Sequence, residues 1–186
     1  MASVRGQVSR LHLWVPFAAG GLLGGASTGL VLAVLSGLTS PLPGRARAIA
    51  VLGAAVVLTA LDLWQHRLRL PQRGTLIPQT VFAAGLPRGF LRFGFEYGTG
   101  VRTLIPSAAS YILAAALVLT GLPWWQTVLV GAVFGFSRTL AVLQYLLMGT
   151  DDWAAFLSAH TRVLERLGSL VAAGLVSAAA LPAVLG

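Results

Sequence analysis

The stretch Leu13–Leu38, LWVPFAAGGLLGGASTGLVLAVLSGL, decides the fold class. No charged side chain interrupts it, and a helix crossing a bilayer needs about 20 such apolar residues. It is also too long for the apolar core of a secretory signal, which runs about 7–15 residues. The run is therefore read as a retained first span, and the segments that follow are measured against the same standard. Span two is expected over 48–65, span three over 94–121, span four over 126–148 and span five over 166–186. The expected fold is all-α: a single polytopic transmembrane helix bundle over residues 1–186, with about five spans.

Composition points the same way. Of 186 residues, 56% are hydrophobic and 10% charged, where a soluble domain carries about 25% charged residues. Mean hydropathy is +0.83. The net charge of +8 comes from 13 arginines and no lysine. These arginines lie mostly between the apolar runs, which suits anionic headgroups and topology better than nucleic acid. There is no cysteine, which excludes disulfides and thiolate metal sites. His12, His66 and His160 are far apart, so no metal ion or other cofactor is expected.

Arginine placement sets the expected orientation. Arg5 and Arg10, then Arg67, Arg69, Arg73, Arg88 and Arg92, then Arg162 and Arg166 share one side of a five-span chain. The opposite side keeps Arg45 and Arg47. The N-terminus is thus expected in the cytoplasm of a bacterial inner membrane, with Trp124 and Trp125 at the outer interface. Within the long connection, 76–91 reads as a re-entrant or interfacial segment; a sixth span there would split its arginines. Leu35-Ser36-Gly37-Leu38 with Leu42-Pro43, and Leu119-Thr120-Gly121-Leu122-Pro123, mark two similar corners and raise an internal duplication as a reading.

Glycine patterning is the plainest packing signal. Gly21, Gly25 and Gly29 recur every fourth residue, with Gly20 and Gly24 beside them, and Gly131, Gly135, Arg138, Val142 and Tyr145 share a stripe in span four. Small residues at this spacing let helix backbones approach. Packing within one chain is the first reading. A second copy, or another membrane protein, is the other partner such faces would suit, beside the lipid bilayer itself.

Three charges fall well inside expected spans, Glu96, Arg102 and Arg138, while Asp62 and Arg166 lie near span ends. At about 1.5 Å per residue, Arg102 lies about 12 Å and Arg138 about 15 Å into their spans. Charge at such depth is costly and is read by default as functional. Two guanidiniums need anions, and Glu96, Asp62 or a bound anionic or zwitterionic solute would serve. Glu96 has a plainer reading as an acid near a helix start, favoured by the dipole. Gly98-Thr99-Gly100 before Arg102, and Pro106 after it, predict a kinked or discontinuous helix. Thr103, Ser107 and Tyr111 add hydroxyls to that segment. Arg102, Arg138, Glu96, Thr103, Ser107 and Tyr111 are the candidate substrate-binding residues. No P-loop, dinucleotide fingerprint or zinc pattern is present, so no catalytic residue is assigned and no enzyme is expected. Asp151-Asp152 reads as a helix cap.

The stretch Phe93–Tyr111, FGFEYGTGVRTLIPSAASY, with Gly131–Arg138, GAVFGFSR, resembles small actinobacterial membrane proteins of uncharacterised type. It is also similar to the transmembrane electron-carrier and LysE-like exporter superfamily. The resemblance covers about a third of the chain. It implies packed repeats and a glycine-rich approach to a proline-kinked helix. The electron carriers of that superfamily work through paired cysteines, so the resemblance leaves a solute-moving role of transporter or permease type, or an accessory role in a larger membrane complex.

Overall fold

The computed structural model describes residues 4–64, 85–100, 108–148 and 151–185. These fold into α-helices: α1 Val4–Thr39, α2 Gly44–Trp64, α3 Leu86–Gly98, α4 Ala109–Leu119, α5 Trp124–Met148 and α6 Asp151–Leu185. Four contain stretches long and apolar enough to cross a membrane: His12–Thr39, Gly44–Trp64, Trp124–Gln144 and Ser158–Leu185. Large apolar side chains such as Leu38, Val56, Leu129 and Leu175 point outward. In water such a surface would be a liability; in lipid it is the required one. The chain is an integral, multi-pass helical membrane protein.

The expected third span does not form as drawn. The helix starts at Leu86 rather than Gly94, because Pro87 fits the first turn of a helix, where its missing N–H is not needed. It then stops at Gly98. Gly100 takes φ +71, a left-handed conformation that ends helices and that glycine adopts without a Cβ penalty. The apolar remainder, Ala109–Leu119, is a short helix of its own. The last eight residues of the expected 66–93 connection are thus the first part of α3. The rest of the proposed re-entrant segment, 76–84, lies outside the described residues. Span five also begins earlier than expected, in a helix that opens at Asp151.

The helices sort into two packing units. The first holds α1 up to Leu30, α3, and α5 from Val128. Here α1 is the common partner, and its doubled glycines serve two neighbours at once. Gly20 and Gly24 lie against the backbone of Leu91, Phe95 and Thr99 on α3. Gly21 and Gly25, one position round the helix, lie against Gly131, Gly135 and Thr139 on α5. A Cβ added at Gly98 would fall 2.7 Å from the Cα of Gly21, so only glycine permits this approach. Numbering rises together along α1 and α3 and in opposite senses along α1 and α5. The starts of α1 and α3 and the end of α5 therefore share one end of this unit.

The second unit holds the rest of α1, α2, α4, and α6 from Leu157. Ala48, Val51, Ala55 and Thr59 form the buried row of α2. They pack near Ile112 and Ala116 of α4 and near Ala172, Val176 and Ala180 of α6. The two similar corners meet: the Thr39 hydroxyl donates to the Val118 carbonyl at 2.9 Å, and the Arg47 guanidinium covers Gly121, whose φ is +68.

Candidate functional site

The first unit builds its polar site from the glycine contacts upward. With Gly131, Gly135 and Thr139 on the α1 face of α5, the preceding residue, Arg138, is turned about 100° round the helix, toward α3. Thus the i+4 row continues to Thr139 rather than to Arg138. Trp14 fixes this rotation: its indole N–H donates to the Thr139 carbonyl at 3.1 Å, and its ring meets Phe136 edge-on.

Arg138 is received by aromatic faces. Its guanidinium carbon lies 4.7 Å from the ring centre of Tyr97 on α3 and 5.7 Å from that of Phe134, one turn back on its own helix. Tyr97 is in turn held by Phe17, at 5.6 Å, and by Phe93, whose ring stacks on Phe17. A cation over a ring away from water contributes about 2 kcal/mol, which offsets part of the cost of holding Arg138 inside a span.

The end of α3 lies beside this platform. It sits against Gly21, Gly24 and Thr28, the middle of the 28-residue apolar span His12–Thr39. Thr28 is about 24 Å along that span, which measures about 42 Å at about 1.5 Å per residue. A helix that stops at such depth must satisfy its last carbonyls without lipid. The Thr99 N–H donates to Phe95 O at 3.0 Å and the Gly100 N–H to Tyr97 O at 3.3 Å. The Thr99 hydroxyl donates to Glu96 O, and the Thr28 hydroxyl reaches Thr99 O at 3.1 Å.

Glu96 stands in the last turn of α3. Because the helix begins at Leu86, the expected dipole argument is reversed: an acid here faces the negative pole. Its carboxylate lies 3.7 Å from Arg92, one turn earlier. The Glu96 side chain is 12% exposed and that of Arg92 68%, so the pair reaches from the protein toward its surface. Asp62, the other expected counter-ion, belongs to the second unit, where it accepts a hydrogen bond from the Ser169 hydroxyl.

Of the expected site residues, the structure places Glu96 and Arg138 in one unit on facing helices. Tyr111 is half-buried in the first turn of α4, in the other unit. Arg102, Thr103 and Ser107 lie outside the described residues. Sequence reasoning missed Tyr97 and Ser169. Phe93 and Tyr97 are four apart on one helix face, which could have marked a platform. Ser169 sits in an apolar run with no such signal. Among the described residues, no cluster of three or more His, Cys, Asp or Glu side chains could hold a metal ion.

Neither family models, nor curated proteins, nor solved structures give a match to this chain. Its class is defined by its own architecture: a multi-pass helical membrane protein with a glycine-packed three-helix unit and an arginine seated on aromatic rings.

Proposed function

We propose that this protein moves a small anionic or zwitterionic solute across a bacterial plasma membrane, as a transporter or permease. The observation that carries this reading is the end of α3 at Gly98–Gly100, halfway along the apolar span of α1, beside the Arg138–Tyr97 pair. Helices that stop at depth, next to charge and hydroxyls, are how many transporters form solute sites. Arg138 is the anion-recognising group and Tyr97 its platform. Glu96 and Arg92 line the approach from the end where α1 and α3 begin. We place that end in the cytoplasm, since Arg88 and Arg92 join the arginines of the N-terminus there.

The test is solute flux in proteoliposomes of the purified chain, read by swelling in isosmotic lactate, glutamate and phosphate. The wild type should exceed empty vesicles for at least one of these anions, and Arg138→Gln should abolish the excess. Flux through Arg138→Gln equal to the wild type overturns the reading.

A second reading has its own support. The ring contacts of Arg138 and the Arg92–Glu96 pair satisfy charge within the protein, as structural glue would. On that reading the chain is a non-catalytic accessory subunit. Absence of flux for all three anions, together with a stoichiometric membrane-protein partner after mild solubilisation, selects it.

A further inference from the structure

The second unit carries a polar cluster that the transport reading does not use. Thr59 and Asp62 lie three residues apart on the face of α2 that packs against α4 and α6. Thr59 follows Ala55 on the buried row of α2 and is 9% exposed. Its hydroxyl oxygen is enclosed and has no hydrogen-bond partner among the described residues. One turn on, Asp62 takes the hydrogen bond of Ser169, which is wholly buried on α6. Since α2 and α6 run in opposite senses, with Ala55 level with Ala172 and Ala173, Thr59 is bracketed between that apolar contact and the Asp62–Ser169 pair. Glu165, one turn before Ser169, is within electrostatic range of Asp62 and of the exposed Arg162.

An enclosed hydroxyl left without a partner costs about 1–3 kcal/mol, so its retention beside a carboxylate needs a reason. The donor set is oxygen only: one carboxylate and two hydroxyls, with the Ser169 hydrogen shared between Asp62 and the Glu165 carbonyl and its lone pairs left over. Hard oxygen donors suit hard cations. Calcium sites commonly hold several carboxylates, whereas the single carboxylate here balances a single positive charge. The cluster also sits at the C-terminal end of α2, the pole of the helix dipole that favours cations.

We propose that Thr59, Asp62 and Ser169 bind a sodium ion at the end of α2. This rests on the second unit alone and stands whether or not the protein transports an anion.

The experiment is thermal unfolding of the purified full chain in detergent. Sodium chloride is titrated against choline chloride at constant ionic strength, with potassium as a second series. The wild type should gain stability with sodium concentration and saturate. Thr59→Val keeps the side-chain shape and removes the oxygen, so it should fold as well as the wild type in choline. Its apparent sodium affinity should fall about 10- to 100-fold, the equivalent of one lost charge-assisted contact. Asp62→Asn should lose the response altogether, and Ser169→Ala should weaken it. Three results each overturn the proposal: no sodium effect beyond choline in the wild type, a sodium effect unchanged by Thr59→Val and Asp62→Asn, or a pH effect equal in sodium and choline that Asp62→Asn removes. The last would assign the carboxylate to a proton. No solute is present in this assay, so its failure leaves the flux experiment untouched.

Discussion

Arg138 of α5 lies 4.7 Å from the ring centre of Tyr97 on α3, and this contact joins the two helices that the glycines of α1 bring into range. The guanidinium meets both the ring face of Tyr97 and, through a side-chain hydrogen bond, its phenol oxygen. Tyr97→Phe keeps the ring face and loses the phenol oxygen, so it should cost about 1 kcal/mol, while Tyr97→Leu loses both and should cost more, above the about 2 kcal/mol of a desolvated cation–π contact. Arg138→Lys should keep part of that stability but little anion flux, because the planar two-pronged donor is gone. Unfolding in detergent and vesicle swelling, measured on the same preparations, check both parts. Equal losses in Tyr97→Phe and Tyr97→Leu would show that the hydroxyl carries the interaction.

The glycines divide into those that touch a backbone and those that face open space. An added Cβ at Gly25 would meet the Gly131 carbonyl and fall 2.9 Å from the Gly135 Cα, and neither backbone can move without shifting a helix. Gly25→Ala is expected to cost about 1–3 kcal/mol, as overpacking does. Gly53, in the exposed part of α2, has nothing within 4 Å. There alanine should stabilise by about 0.5–1 kcal/mol through its helix preference. Opposite signs for these two substitutions are the checkable outcome.

Much of this was legible in the sequence. Apolar runs located the spans of α1, α2 and α5 within a few residues, since lipid tolerates little else, while the span of α6 was expected only from 166 although its apolar stretch begins at Ser158. The four-residue glycine repeat revealed close packing in α1, because the spacing matches one helix face. It did not reveal that Gly20-Gly21 and Gly24-Gly25 divide between two neighbours. Glycine and proline around Arg102 announced a break, and α3 does end at Gly98. The start of α3 was obscured because Leu86–Phe93 mixes arginine, glycine and aromatic residues and lacks a continuous apolar run. The Asp62–Ser169 contact spans 107 positions, and one sequence offers no way to pair residues so far apart.

The direction of the helices predicts labelling. The chain has no cysteine, so Pro41→Cys, Leu122→Cys and Arg88→Cys can each be probed alone with an impermeant maleimide. The corners at Pro41 and Leu122 meet through Thr39 and Val118 and should label from the same side. Arg88 begins a helix parallel to α1 and should label from the other side, the cytoplasmic one on the arginine bias. Labelling of Arg88→Cys and Pro41→Cys from one side would contradict a crossing by α1.

The final prediction uses two glycines that share a backbone conformation and differ in place. Gly100 has φ +71 and Gly121 φ +68, so alanine at either is strained by about 1–2 kcal/mol. Gly100 is buried at the end of α3, within three residues of Tyr97. Alanine there favours continuing the helix past Gly98, which would withdraw the turn N–H of residue 100 from Tyr97 O. Gly121 closes the corner before α5, where an added Cβ would meet the end of the Arg47 side chain, and a flexible guanidinium can swing aside. Both substitutions should lower the unfolding temperature by a similar amount. Flux per folded molecule should collapse only in Gly100→Ala, because only there does the strained glycine shape the end of a helix beside Arg138. Unchanged flux in Gly100→Ala would detach the break in α3 from transport, and equal loss in both variants would reduce the effect to general destabilisation.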